Sequence, residues 1–149
     1  MPLRTGGCRC GRLRYELRGA LGFTFHCHCS FCRRIHGSAF TTVSIVPRAS
    51  FRWSDSSSEP AVFVTPLGST RHFCGRCASP VCNHPREPEQ LCLVVASLDD
   101  ERDVAPWAHL NTESKASWFE IADALPQFVA FPNPEEIAEL ARTHRGSSR

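Results

Sequence analysis

The chain has 149 residues, with 17 basic against 15 acidic side chains interspersed along it and a net charge of +2; this balance gives no electrostatic case for nucleic acid or an anionic membrane and leaves open a small anionic ligand. One domain is expected, burying about 68–70% of the surface the unfolded chain exposes, so a core is possible without disulfides. Residues 1–7 hold no apolar signal segment and no apolar run is long enough to span a bilayer, so a soluble, cytoplasmic protein with reduced cysteines is expected.

In chain order, the pair Cys8 and Cys10 leads into Leu13, Tyr15 and Leu17, which alternate with Arg12, Arg14, Glu16 and Arg18. That period of two predicts a half-buried strand with the arginines on its solvated side. After a turn at 19–22, Phe23–His26 enters Cys27-His28-Cys29-Ser30-Phe31-Cys32-Arg33-Arg34. Arg33–His36 predicts one helical turn ended by Gly37, because glycine accepts the left-handed conformation that closes helices. Residues 39–46 read as a strand stopped by Pro47, Phe51–Trp53 as a short extended piece, and 54–60 as a polar loop. Val62–Thr65 and Ser69–Phe73 flank Pro66-Leu67-Gly68 and predict a hairpin that delivers Cys74 and Cys77.

Beyond the hairpin, Cys82 and His84 follow the last cysteine pair closely, with a structural or incidental role expected for Cys82. Leu91–Leu98 is the most strand-like run, and Cys92 within it reads as a small buried hydrophobe. Residues 99–103 are charged and exposed, and 106–128 are irregular, anchored by Trp107, Trp118, Phe119, Ile121 and Leu125. Asn133 predicts an N-cap before Pro134, Glu135 and Glu136, with Ile137, Leu140 and Ala141 on one apolar face. Residues 146–149 read as disordered. Short strands between glycine and proline turns predict a mainly β domain.

Seven of the nine cysteines fall in C-x-C and C-x-x-C clusters, the spacing of metal knuckles. Zinc takes thiolates in a tetrahedron, with all four positions filled in structural sites and one left open in catalytic sites. Cys8, Cys10, Cys74 and Cys77 make a closed set that clamps the first strand region to the central hairpin. Cys27, Cys29 and Cys32 are left as three. Spacing leaves open whether their fourth position is vacant or taken by His26, His28, His36 or His84.

The order and spacing of Gly7-Cys8-Arg9-Cys10-Gly11, of Cys27–Arg34 with Gly37, and of Phe73-Cys74-Gly75-Arg76-Cys77-Ala78-Ser79-Pro80 resemble the glutathione-dependent formaldehyde-activating (GFA) family, also called CENP-V/GFA. Ala96–Asp100 and His109–Trp118 are similar too. The resemblance implies a β-tent fold of packed antiparallel sheets with zinc knuckles and a short C-terminal helix. It implies a zinc-binding domain over 3–131, followed by the helix and a disordered tail over 132–149. Two zinc ions per chain are implied, a structural one on Cys8, Cys10, Cys74 and Cys77 and a second on Cys27, Cys29 and Cys32. The chain departs from the family at Ala78, where glycine follows the last ligand. Methionine sulfoxide reductases of the B type share the tent and its C-x-x-C pairs, but their catalytic segment finds no match.

The activity implied is a carbon-sulfur lyase type, joining glutathione and formaldehyde as S-(hydroxymethyl)glutathione, with Cys27, Cys29 and Cys32 as ligands of the open zinc. A cation deprotonates a thiol bound to it, and the thiolate is the nucleophile. Arg33 and Arg34 are candidates for holding an acidic thiol such as glutathione, since arginine matches carboxylates bidentately; the alternative is that they neutralise the thiolate cluster. His28 and His36 are read as proton carriers or as spacers between ligands. A non-catalytic, zinc-stabilised binding module is the second function class that the family allows.

Overall fold

A computed structural model describes residues 1–147, and the chain divides into two compact units, one of residues 1–22 and 44–104, the other of 23–43 and 105–149. The architecture is mainly β, with two sheets, short 3-10 turns and one C-terminal helix. No helix among the described residues is long and apolar enough to cross a membrane.

In the first unit, β1 (Leu3–Gly7) pairs antiparallel with β2 (Arg14–Arg18), which pairs with β5 (Phe51–Trp53). The alternation read from the sequence holds: Leu13, Tyr15 and Leu17 are each 1% exposed or less. Tyr15 directly faces Gly6 across the strand pair, and its hydroxyl donates to Ser97 Oγ at 2.9 Å, which in turn donates to the Val94 carbonyl at 2.7 Å. Burial of the phenol holds its pKa above the usual tyrosine range. Gly6 is required by this arrangement, because a Cβ there would lie 2.3 Å from both the Ser97 carbonyl oxygen and the Tyr15 hydroxyl.

The second sheet of this unit runs from the end of β4 (Thr41–Pro47) through β9 (Gln90–Val94), β8 (Pro80–His84) and β7 (Thr70–Phe73) to the edge strand β6 (Ala61–Val64). The β6–β7 hairpin turns through Gly68, whose φ of 84° suits the residue. A single core gathers Leu13, Tyr15, Leu17, Val46, Val81, Leu91, Leu93, Val95 and Leu98 together with Cys8, Cys74 and Cys82. Salt links from Arg14 to Asp99 and from Arg4 to Asp103 fasten the loop after β9 to the first sheet.

In the second unit, β10 (Ala108–Leu110) lies parallel to β3 (Thr24–Cys27), with His109 opposite His26 and Leu110 opposite Cys27. The helix α1 (Ser30–His36) follows β3 and is closed by Gly37 at φ 59°. Phe23 packs against Phe25, Trp107 and Phe131 at ring separations of 5.0–6.3 Å. The helix α2 (Pro134–Ser147) begins with reciprocal bonds, Glu136 N–H to Asn133 Oδ1 at 2.9 Å and Asn133 N–H to Glu136 Oε2 at 2.8 Å.

Several expectations need correction. The helix after the three-cysteine segment starts at Ser30, so Cys32 lies inside it instead of preceding it. Leu91–Leu98 is strand only to Val94, because Val95–Ser97 turns as a 3-10 helix and places Ser97 under Tyr15. The stretch 106–128 contains β10, and Trp118, read as an anchor, is 72% exposed. Cys92 is half-buried rather than core. Gly146 and Ser147, read as disordered, belong to α2, whereas Ser148 and Arg149 lie outside the described residues.

Gly6→Ala is expected to destabilise the fold by at least about 1–3 kcal/mol, the cost of forcing atoms into a filled core. Urea denaturation with an unchanged slope and a lowered midpoint would show it, and an unchanged midpoint would mean that the strand pair relaxes freely.

Candidate metal centres

Two turns of the first unit meet at the four-cysteine set. The chain leaves β1 into a turn in which Cys8 N–H donates to the Leu13 carbonyl at 3.1 Å and Gly11 takes a φ of 80°. It leaves β7 into a second turn, where Cys74 N–H donates to Ser79 O at 3.0 Å and Ala78 N–H to Cys74 O at 2.8 Å. All four Sγ atoms lie within 4.8 Å of one another, with Cys8–Cys10 at 3.6 Å and Cys10–Cys74 at 3.7 Å. A tetrahedral ion with sulfur bonds of about 2.3 Å has edges of about 3.8 Å, so the thiols stand where such an ion needs them.

Backbone donors support the sulfurs. Leu13 N–H reaches Cys8 Sγ at 3.2 Å and Arg76 N–H reaches Cys74 Sγ at 3.4 Å. Ser79 Oγ, which accepts from Arg9 N–H at 3.1 Å, donates to Cys77 Sγ at 3.2 Å and pushes that thiol down to about 5. The Leu13 N–H at Cys8 and the Ser79 hydroxyl at Cys77 favour thiolate over thiol, the form that a metal takes.

The three-cysteine set belongs wholly to the second unit. Cys27 ends β3, Cys29 is the N-cap of α1, and Cys32 sits in its first turn; their sulfurs also lie within 4.8 Å of one another. Cysteine caps here because its sulfur accepts the Cys32 N–H at 3.2 Å. Asn111, held at φ 58° just past β10, extends Nδ2 to Cys27 Sγ at 3.4 Å. The neighbouring thiols and that N–H make Cys29 the most acidic of the three, while the same crowding raises Cys27 and Cys32. Among the described residues no histidine joins either cysteine set.

His28, between two of these cysteines, faces elsewhere: it is fully buried, and its Nε2 lies 2.8 Å from His109 Nδ1. His109 Nε2 in turn lies 3.0 Å from an Asp123 carboxylate oxygen. A carboxylate only accepts, so His109 donates through Nε2 to Asp123, and one proton is shared between His109 Nδ1 and His28 Nε2. His28 Nδ1 is buried without a hydrogen-bond partner. Burial pushes the imidazoles of His28 and His26 down to about 4, which keeps both neutral. Phe40 and Phe119 close over His28 at ring distances of 5.2 and 6.2 Å.

The two arginines differ. Arg33 is half-buried with an Nε that has no hydrogen-bond partner, and its charge reaches His28; Arg34 is exposed. A depression of about 520 Å³ in the same unit is lined by Lys115, Trp118, Phe119 and Ile121 among others. The Lys115 ammonium is engaged by the carbonyls of Ala116 and Phe119. His109, Asn111 and Asp123 escaped the sequence reading as site residues because they sit on a three-residue strand and a loop with no periodic signal.

Mainly β, with two groups of clustered cysteines able to hold metal ions, the chain has the form of a small thiol-rich metal-binding domain. The model of the glutathione-dependent formaldehyde-activating enzyme family matches residues 3–114, and the chain belongs to that family. It is 29% identical over 147 residues, covering 92% of this chain and 93% of the relative, to a Halomonas elongata protein named "Putative glutathione-dependent formaldehyde-activating enzyme". A solved Rhodobacter sphaeroides protein superposes with a TM-score of 0.54 at 24% identity, over 68% of this chain and 91% of that one, a likeness of fold.

Ala78 carries a φ of 61° in the second cysteine turn. A residue with a Cβ in the left-handed region costs roughly 1–2 kcal/mol, and glycine there recovers this less about 0.5–1 kcal/mol of extra unfolded-state entropy. Ala78→Gly is therefore expected to raise the melting temperature slightly with metal content unchanged; a lower melting temperature would refute strain at this turn.

Proposed function

We propose that the chain is a zinc-dependent carbon-sulfur lyase-type enzyme that acts on thiol adducts, and that its reaction is the joining of glutathione and formaldehyde. The observation that carries the reading is the group of three sulfurs on one short segment, with no fourth ligand from the described chain. In this reading Cys8, Cys10, Cys74 and Cys77 hold a structural zinc, Cys27, Cys29 and Cys32 hold a second one with an open position, and the protein works in the reducing cytoplasm.

Zinc bound at the three thiolates supplies ionisation of an incoming thiol, since a coordinated thiol loses its proton. The reaction is an addition in which one S–C bond forms, the C=O π pair becomes an alkoxide, and the proton given up by the thiol ends on that oxygen. No oxidant or reductant is consumed.

The chain's own groups hold the geometry. Asn111 and the Cys32 N–H donate to two of the sulfurs, so charge on the cluster is met by fixed donors instead of mobile water. The chain of His28, His109 and Asp123 locks the residue between two ligands and thereby fixes where those ligands point. Arg33 places a half-buried guanidinium directly after Cys32 for a substrate carboxylate, whereas exposed Arg34 contributes attraction at longer range. Trp118, Phe119 and Ile121 line a depression in the same unit together with Lys115, Ser117, Glu120 and Gln127.

Substitution separates the two sets. Cys77→Ser is expected to give insoluble or unfolded protein, because structural zinc contributes apparent binding energies of about 10–16 kcal/mol to small domains. Cys29→Ser is expected to leave a folded chain with one zinc fewer. Circular dichroism and metal analysis read both, and equal loss of folding in the two variants would count against an open functional site.

The direct experiment is exchange NMR of glutathione with formaldehyde, recorded with zinc-replete protein, with Cys29→Ser protein and with none, because free thiols add to formaldehyde unaided. Faster exchange with the zinc-replete protein alone is expected. Rates equal to the protein-free control would overturn the proposal.

A further inference from the structure

His72, Cys82 and His84 lie outside both cysteine sets, and each offers one ligand atom within 4.8 Å of the other two. Strand geometry brings them together. Cys82 and His84 are two apart on β8 and so project from one face, and the antiparallel register sets His72 of β7 directly opposite Cys82. The β-bulge after His72 disturbs the ladder only beyond this pair. The two imidazole rings meet edge to face at 4.5 Å, and the Cys82 thiol beneath them is 2% exposed.

Packing alone accounts poorly for this group. The Nδ1 atoms of both histidines are buried without a hydrogen-bond partner, although a buried unsatisfied polar atom costs about 1–3 kcal/mol. Three apolar side chains would fill the same space without that cost. Two neutral imidazoles and a thiol are, by contrast, the donors that borderline transition cations take. Burial holds the His84 imidazole low, at about 4, so that ring is neutral and able to ligate near neutral pH. Burial also raises the Cys82 thiol to about 12, and the field of Arg48 reaches all three groups.

We propose that His72, Cys82 and His84 form a metal site separate from both cysteine sets, taking a divalent cation of the zinc class through two imidazole nitrogens and one thiolate. Binding forms one metal–sulfur and two metal–nitrogen bonds and releases the Cys82 proton to solvent. The single thiolate leaves one positive charge on a divalent ion, and the nearby Arg48 weakens the site relative to the four-cysteine one. It binds last and is the first to empty under a chelator.

Zinc is counted by mass spectrometry in the full chain and in the His72→Gln/His84→Gln variant after equilibration with excess zinc and desalting. One equivalent fewer in the variant is expected, and equal content overturns the proposal. Because the double variant can lose its fold, the unaltered chain is also titrated with zinc while the histidine ring nitrogens are followed by two-dimensional NMR. The His72 and His84 ring signals are expected to move in one saturating step, and signals that stay fixed through three equivalents overturn the site. The same step is expected in Cys29→Ser protein, so failure of the three-cysteine reading and failure of this one are distinguishable.

Discussion

Everything in the first unit hangs on four sulfurs being held closer together than free thiols stay. Cys10 and Cys74 stand 3.7 Å apart although 64 residues separate them, and closing a loop of that length opposes the contact entropically. Two turns with backbone donors to sulfur cannot by themselves offset that loss, because each such bond is weak. A cation shared by four thiolates can. The packing agrees: Cys8 and Cys74 are members of the same core as Tyr15 and Val81, so the ligands are continuous with the hydrophobic interior.

The three-cysteine set is built by a different logic. Its ligands span six positions, and Cys29 both caps α1 and contributes a sulfur, so forming the helix and forming the sulfur cluster are one local event. No distant strand is recruited to supply a sulfur. What arrives from elsewhere in that unit, Asn111 and His109, touches a sulfur or the intervening histidine. If this set holds the proposed second zinc, a site assembled this way can lose its metal without losing its scaffold, which is the property that the proposed reaction requires of a centre that exchanges ligands.

Much of this was legible in the sequence where the signal is short in range. Cysteine pairs two and three apart declare metal knuckles, the alternation of Leu13, Tyr15 and Leu17 declares a strand, and Asn133 with Glu136 declares a helix start. The misses share a physical cause, dependence on contacts distant in sequence. Strand β10 has three residues and exists only because β3 lies beside it. The break after Val94 is set by the Ser97 hydroxyl meeting Tyr15, and the start of α1 depends on cysteine acting as a cap, a role that propensity assigns to other residues. Cys82 and His84 look incidental until the register opposite His72 is known, since pairing of strands decides which side chains share a face.

Charge explains why cations cluster by the thiols in a chain that is nearly neutral. With two zinc ions bound as proposed, seven thiolates still leave excess negative charge at the two centres. Arg9, Arg12 and Arg14 flank one arm of the four-cysteine set, Arg76 lies within the other, and Arg33 and Arg34 follow Cys32. At the closed set this arrangement only balances ligand charge, because nothing further binds. At the open set, on the proposed reaction, the same balance would also accommodate an incoming thiol that becomes anionic on binding and brings carboxylates of its own. On the proposed reading the half-buried Arg33 serves both tasks, whereas exposed Arg34 is screened by solvent and matters mainly for approach. Neutralising the cluster and recognising an acidic thiol are, on that reading, successive demands on one guanidinium.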